Sequence, residues 1–475
     1  MALKRKLKSL ARKVILKAGP SVLWLVPNEK RRNRLRFEMF RRRKDHLAIV
    51  EEAAKQPRGS LSLDRTLLAA RSARVIGRDD INRDLLEACH ERVKTSAVLL
   101  NALANDRIKS GHYEEAQTLN ARARILSPVN KAAARTELRL HKHIKDGTPL
   151  NGALLRRFKA DMSFVWSFCK ACETKEDLDQ IFEVLAPTGT LPAKYIRPYS
   201  NAALRAEQFD LGRVQFLRAI EAAAEKPPTK TTAAKSIGDA GSEALVDIVK
   251  LLNTASVPHF AAAGSCLGMV REGRPLPHDN DIDIGIMEAD FDQDALLALT
   301  EDSPLFTSSQ PHPKSPKIGL KHINGAEIDL FKFYEEDGMI WHNGVFVRWG
   351  NKPFSYETRP LNGTDITIPA GTDYLVENYG TGWDQPDPLF DAFLNGPNRE
   401  VIWDEYYAAH MLRTINLTLR RGNLAKAVGF MRDGIDGPYL TRLEKDVLRV
   451  IVPAMERKIV AHAEKAATQE TQVNG

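Results

Sequence analysis

The spacing of apolar positions divides the chain into three textures. From about residue 60 to 226, Ala, Leu, Glu and Arg dominate and apolar residues recur every three or four positions, which predicts helices packed on one face. Between residues 242 and 400 the period shortens. Short apolar runs at 259–264, 282–286, 327–334, 344–349 and 366–369 alternate with turns, the texture of mixed helices and strands. From Trp403 onward the helical period returns, and after about Glu464 the residues are polar and predict a frayed tail. Pro227 and Pro228, followed by Thr229, Lys230, Thr231 and Thr232, mark the clearest linker. The expected order is a basic arm over 1–58, a helical domain over 59–226, a linker over 227–241, an α+β domain over 242–400, helices over 401–464 and a flexible tail over 465–475.

One helical stretch carries a repeat signature. The spacing of Leu103, Ala104, Gly111, Tyr113, Ala116, Ala123 and Pro128 resembles a tetratricopeptide repeat. Gly111 would open the turn, Ala116 and Ala123 would be small where two helices cross, and Pro128 would end the second helix. Phe209, Gly212 and Ala219 fit the second half of such a repeat loosely, as does Gly422 with Ala427. A single repeat lacks the core that stacked neighbours supply. The reading is therefore a degenerate array of helical hairpins, with room for a protein partner. Generic hairpins with Ala-rich packing account for the same residues.

Composition narrows the class. The 475 residues are 43% hydrophobic and 27% charged, ordinary for a globular protein, and the length implies two to four domains. Disorder, collagen and disulfide scaffolds are excluded over the bulk of the chain. Four Cys suggest a reducing, cytoplasmic setting. Cys169 and Cys172 form a lone C-x-x-C in a helical stretch and read as structural thiols.

The net charge of +8 is unevenly spread. Residues 1–50 hold 16 Lys+Arg and 3 Asp+Glu, so the remainder is mildly acidic. The longest apolar run, Val14 to Val26, is broken by Lys17 and Pro20, too short for a membrane span and poor as a signal peptide. Leu7, Leu10, Val14 and Leu16 interleave with Lys6, Lys8, Arg12, Lys13 and Lys17. Three readings stand for residues 1–44: a solvated basic helix, peripheral contact with an anionic membrane surface at its inner face, or nucleic-acid binding. The acidic core speaks against nucleic acid.

The chemistry concentrates between residues 264 and 329. Gly264 and Ser265 form a small-residue turn before a helix, where backbone N–H groups can approach phosphate. Asp281 and Asp283 lie two apart in an apolar strand, so both project from one face. Two such carboxylates repel one another, and a divalent cation removes that penalty; oxygen ligands suit Mg²⁺ or Mn²⁺. A second apolar strand, Glu327 to Phe331, carries Asp329. Its alternation puts Glu327, Asp329 and Phe331 on one face and Ile328 and Leu330 on the other, so Asp329 joins the pair if the strands are neighbours. Lys317 and Lys321, just before that strand, lie within reach of phosphate, although exposed lysines are the default.

A Gly-Ser turn, a D-x-D strand and a later Asp in this order resemble the nucleotidyltransferase superfamily. The run from Ser265 to Ile286, with Arg271, Gly273, Pro277, His278, Asp279 and Asn280, looks like the LicD/fukutin-like phosphotransferase family. Tyr374, Leu375, Tyr379, Gly380, Trp383 and Pro386 resemble a further segment of that family. The resemblance covers about residues 240–390. It implies an α+β nucleotidyltransferase-like mixed sheet core, here between an N-terminal helical-hairpin array and a C-terminal helical segment. It also implies metal-dependent transfer of a phospho-alcohol, phosphocholine or a phospho-alditol, from a CDP-activated donor to a cell-surface, capsular or lipopolysaccharide glycan. By residue matching, Asp281, Asp283 and Asp329 would be catalytic and hold the metal. Gly264, Ser265 and Arg271 would face phosphate, and His278 and Asp279 would line the substrate site. Read from the residues alone, Asp279 is first a turn residue capping the strand and only second a further ligand or base. Family members often carry Trp where this chain has His278, which leaves open the donor headgroup and the acceptor. A different class, a helical-repeat interaction protein with an inactive core, is opposed by the intact acidic trio.

Overall fold

The computed structural model describes residues 29–43, 45–92, 95–144, 147–225, 237–303, 305–309 and 317–473. The basic arm up to residue 28, residue 226, residues 227–236 of the expected linker and the last two residues lie outside the described residues. Contacts divide the chain into two compact units, residues 1–148 with 303–305, and residues 149–302 with 306–475.

Among the described residues, the first unit holds seven helices: α1 (Glu29–Arg43), α2 (His46–Ala54), α3 (Leu63–Val75), α4 (Asp79–Arg92), α5 (Ala97–Lys109), α6 (Tyr113–Leu126) and α7 (Lys131–His143). Helix α1 begins within the stretch read from sequence as an arm, and it buries Leu35, Phe37 and Met39. The α5–α6 hairpin follows the repeat signature closely. Gly111 sits in the turn at φ 76°, a left-handed conformation that a Cβ would oppose. Ala104, Ala116 and Ala123 are fully buried where the helices cross, packed with Leu99, Leu100 and Leu103. Ser96 caps α5 by accepting from Leu99 N–H.

The second unit is α+β. Five helices lead into it: α8 (Gly152–Phe158), α9 (Met162–Ala171), α10 (Lys175–Leu185), α11 (Ala193–Arg205) and α12 (Phe209–Glu225). Thr174 and Asp177 form a capping box at the start of α10. Cys169 and Cys172 are buried free thiols, and burial pushes the Cys169 thiol up to about 12. They are inert packing groups, as expected.

After α13 (Asp239–Thr254), the sheet is built from β1 (Phe260–Ala261), β2 (Asp281–Met287), β3 (Phe306–Ser309), β4 (Lys317–His322), β5 (Glu327–Glu336), β6 (Met339–Asn343) and β7 (Val347–Asn351). β8 (Tyr356–Leu361) and β9 (Thr364–Pro369) form a separate hairpin around Asn362-Gly363, both at positive φ, as a tight Asn-Gly turn requires. β10 (Arg399–Val401) returns to pair with β7. The main path runs β1-β2-β5-β6-β7-β10, with β4 joining β5 and β3 beyond it. β2 and β5 are parallel; the other pairings are antiparallel, so the sheet is mixed.

Helix α14 (Ala263–Glu272) and α13 both pack against β2. α15 (Gln293–Asp302) packs against β3, α16 (Asp373–Tyr379) against α14 and β7, and α17 (Ala392–Asn395) beside β10. Helices α18 (Asp404–Arg420), α19 (Leu424–Asp436) and α20 (Arg442–Val473) close the unit. Their backbone helix runs through the stretch after Glu464 that the sequence reads as a tail. Phe216 and Ile220 of α12, Val347 and Trp349 of β7, Leu412 and Ile415 of α18, Phe430 of α19 and Leu448 of α20 share one core. Arg213 Nε of α12 donates to Glu444 Oε1 at 2.8 Å in an ion pair with both side chains 9% exposed. Removing one partner of such a pair costs about 3–5 kcal/mol. The C-terminal helices and the sheet therefore belong to one folded body. No helix among the described residues is long and apolar enough to cross a membrane.

Candidate active site

The parallel pairing of β2 and β5 sets the site. Asp281 pairs with Glu327 and Asp283 with Asp329, while Ile282 and Ile284 lie beside Ile328 and Leu330 on the buried face. The alternation expected from sequence holds on both strands. One carboxylate oxygen from each of Asp281, Asp283 and Asp329 lies within 4.8 Å of the others. Three carboxylates at that separation are a donor set for a hard divalent cation, so the residues fit the Mg²⁺ or Mn²⁺ expected.

The electrostatics register the crowding. Burial, then the Asp329 and Asp279 charges, push Asp281 up to about 6. Asp283 is raised well above the ordinary carboxylate range, by burial first and then by Asp281 and Asp279. One cation opposes this. Lys317 Nζ, at the start of β4, donates to Asp329 and lies 5.1 Å from the centre of the Phe331 ring. Lys317 pairs in register with Phe331, two positions from Gly319, which stands opposite Asp329. The strand alternation of Lys317, Gly319 and Lys321 against buried Ile318 and Leu320 was the signal for its facing the trio.

Gly264 and Ser265 do not precede the helix; they lie in the first turn of α14, after Ala262 at its N-cap. Both are turned toward β2. Gly264 N–H donates to Asp283 Oδ2 at 3.2 Å, and Ser265 Oγ accepts from Asp283 N–H at 2.8 Å. Ala263 has φ 40°, a strained value for a residue with a Cβ, and its N–H donates to Tyr374 Oη at 3.0 Å. Tyr374 is buried on α16, so the second family-like segment braces the helix start. Sequence reasoning gave Tyr374 no role; only the fold reveals it.

Asp279 joins the group. A Cβ at Gly264 would stand 2.6 Å from Asp279 Oδ2 and 3.4 Å from Asp283 Oδ2, so the missing side chain leaves room for two carboxylates. Burial raises Asp279. Its Oδ1 also accepts from Asn280 N–H at 3.1 Å, so the turn-capping and site readings describe the same side chain. His278 is exposed next to it. Arg271 is not brought to the trio: its guanidinium donates to the carbonyls of Trp383 and Gln385, tying the end of α14 to the loop after α16.

A helix start strapped to an acidic-pair strand, with a third carboxylate on the parallel neighbour, is the arrangement of the nucleotidyltransferase class. Residues 256–370 match the family model described as LicD/FKTN/FKRP, nucleotidyltransferase domain, and this segment is a domain of that family. The chain is similar to the ribitol-5-phosphate transferase FKTN of Mus musculus, 30% identical over 164 residues, which are 32% of this chain and 36% of that protein. The protein of the same name from Homo sapiens is 28% identical over 183 residues, 36% of this chain and 40% of its own length. The chain thus aligns with well under half the length of these relatives.

Proposed function

We propose that this protein is a metal-dependent phosphotransferase that moves a phospho-alcohol from a CDP-activated donor to a glycan. The observation that carries this reading is the trio Asp281, Asp283 and Asp329, gathered within 4.8 Å inside a LicD/FKTN/FKRP-type domain. The name of the similar proteins favours ribitol phosphate as the group transferred.

Asp281, Asp283 and Asp329 would hold Mg²⁺ or Mn²⁺, which when bound supplies positive charge to offset the leaving group. An acceptor hydroxyl attacks the donor phosphorus nearest the alcohol. The new P–O bond forms as the bond to CMP breaks; the acceptor proton goes to a carboxylate and the electron pair leaves with CMP. Asp279, raised by burial and lying beside Asp283, is placed to take that proton; Asp329 is the alternative if it does not hold the metal. Lys317 restrains Asp329 and faces the site where phosphate charge would enter.

A cell-surface glycan acceptor, a cytoplasmic setting and peripheral contact of residues 1–44 with an anionic membrane belong to the same proposal, as do the domain limits set out above and a protein partner on the hairpin array. A panel of CDP-linked donors, CDP-ribitol, CDP-glycerol and CDP-choline, incubated with Mg²⁺ and glycan acceptors and followed by CMP release, tests it. One donor should be strongly preferred. Absence of CMP release from every donor, with both Mg²⁺ and Mn²⁺, would remove the reading.

A further inference from the structure

The helices of the second unit carry another charged cluster, of the opposite sign. Arg197, Asn201 and Arg205 recur every four residues on α11 and so share one face. On α18, Arg413 and Arg420 are seven apart, and Arg421 is the C-cap residue. The two faces are joined where Arg413 Nε donates to Asn201 Oδ1 at 2.9 Å. Five guanidinium groups are thereby brought together. Their proximity shows in Arg197, which burial and then Arg420, Arg413 and Arg421 hold below its ordinary value.

Among the described residues, no carboxylate hydrogen-bonds or pairs with any of the five. This contrasts with Arg213 in the same unit, which is buried against Glu444. Arg205 Nε is buried with no hydrogen-bond partner. Arg197 lies over the Trp166 ring, 5.2 Å from its centre, leaving its charge uncompensated by any anion. Arg420 and Arg421 are exposed while Arg197, Arg205 and Arg413 are half-buried, so positive charge runs from the surface inward. Partly desolvated like charges oppose folding, and a planar guanidinium fork is matched by phosphate oxygens. The eight-residue span of α11 from Arg197 to Arg205 rises about 12 Å at about 1.5 Å per residue. That length exceeds one phosphate group.

We infer that the arginine face of α11 and α18 is a binding site for an anion carrying two or more phosphate groups. A diphosphate and a phosphodiester-linked polyol chain both meet this description. The site is separate in sequence and in side chains from the acidic trio, and the inference does not depend on the transfer reaction.

Calorimetric titration of the full chain without divalent cation tests it. The probes are pyrophosphate, a poly(glycerol phosphate) oligomer, a neutral oligosaccharide of similar length and vesicles containing anionic lipid. Pyrophosphate or the oligomer should bind, and the tighter of the two identifies the source. Kd should rise about tenfold or more in Arg197→Gln/Arg413→Gln and in Arg420→Gln/Arg421→Gln. The second pair is exposed and cannot collapse the core, so it decides the matter if the first fails to fold. Asp281→Asn should bind like the wild type, which separates this site from the catalytic one. Failure of both phosphate probes to bind, equal binding of the neutral oligosaccharide, binding to vesicles alone, or an unchanged Kd in the exposed double variant would overturn the inference.

Discussion

Asp283 and Asp329 stand directly opposite each other on parallel strands, although 46 positions separate them in the chain. Their neighbours on the other face are buried Ile and Leu, so neither carboxylate can turn away without exposing the core. The fold holds the charges together at a cost that a cation or protons must offset.

Removing one charge from this group should abolish transfer without unfolding the protein. Asp281→Asn and Asp283→Asn are expected to lose activity and, without metal, to melt at the wild-type temperature or above it. Like-charge repulsion is relieved in each. Activity assays beside metal-free melts check this; a variant with full activity would exclude that residue from the trio.

The raised carboxylates fix the direction of a pH effect. Asp281 titrates near 6 in the folded protein and an unfolded Asp near 4. Between those values the folded state holds a proton that the unfolded chain has released. Metal-free stability should therefore fall as pH rises from about 4 to about 6. Over the same window Mg²⁺ binding should strengthen, because protons must leave. Melts of wild type and Asp281→Asn across pH 4–7 report it, and a constant difference between them would contradict it.

Asp329→Ala should lower kcat on the order of 10²-fold or more if Asp329 is a general base. A metal ligand's loss is partly recovered at high Mn²⁺, whereas a base's loss is not. Rates measured at several Mn²⁺ concentrations separate the two, and near-wild-type turnover would take Asp329 out of the site.

Gly264→Ala probes the space over the helix start. The new Cβ would meet the Asp279 carboxylate, the free end of a side chain that can shift, so the fold should survive. Transfer should nevertheless drop about tenfold or more as Asp279 and Asp283 shift. Unaltered kinetics would show that the position of Asp279 is immaterial.

Much of this was legible because strand alternation is local. Ile328 and Leu330 announce the buried face of β5, and Asp329 follows by parity; the same logic pairs Asp281 with Asp283. The α5–α6 hairpin was legible through Gly111 and its small crossing residues. Arg271 was not. Its partners, the carbonyls of Trp383 and Gln385, lie more than 110 positions away, and no local period encodes that docking. Gly264 and Ser265 were recognised as important, but their bonds to Asp283 come from helix–strand packing. The start of α1 was hidden because its many basic residues mask the buried Leu35, Phe37 and Met39.

The pairing of β2 with β5 also bears on how the chain reaches its native state. Parallel strands joined across a long connection must close a large loop before they gain anything, and such steps are slow. Here the two strands arrive carrying facing carboxylates, so repulsion peaks as they dock. Refolding should then be faster at pH 5 than at pH 8 without metal, with added Mg²⁺ narrowing the gap. Stopped-flow refolding would show it, and equal rates at the two pH values would mean that the strands dock after the barrier is crossed. The same charges that prepare the site for a cation would thus also set the pace at which the protein assembles it.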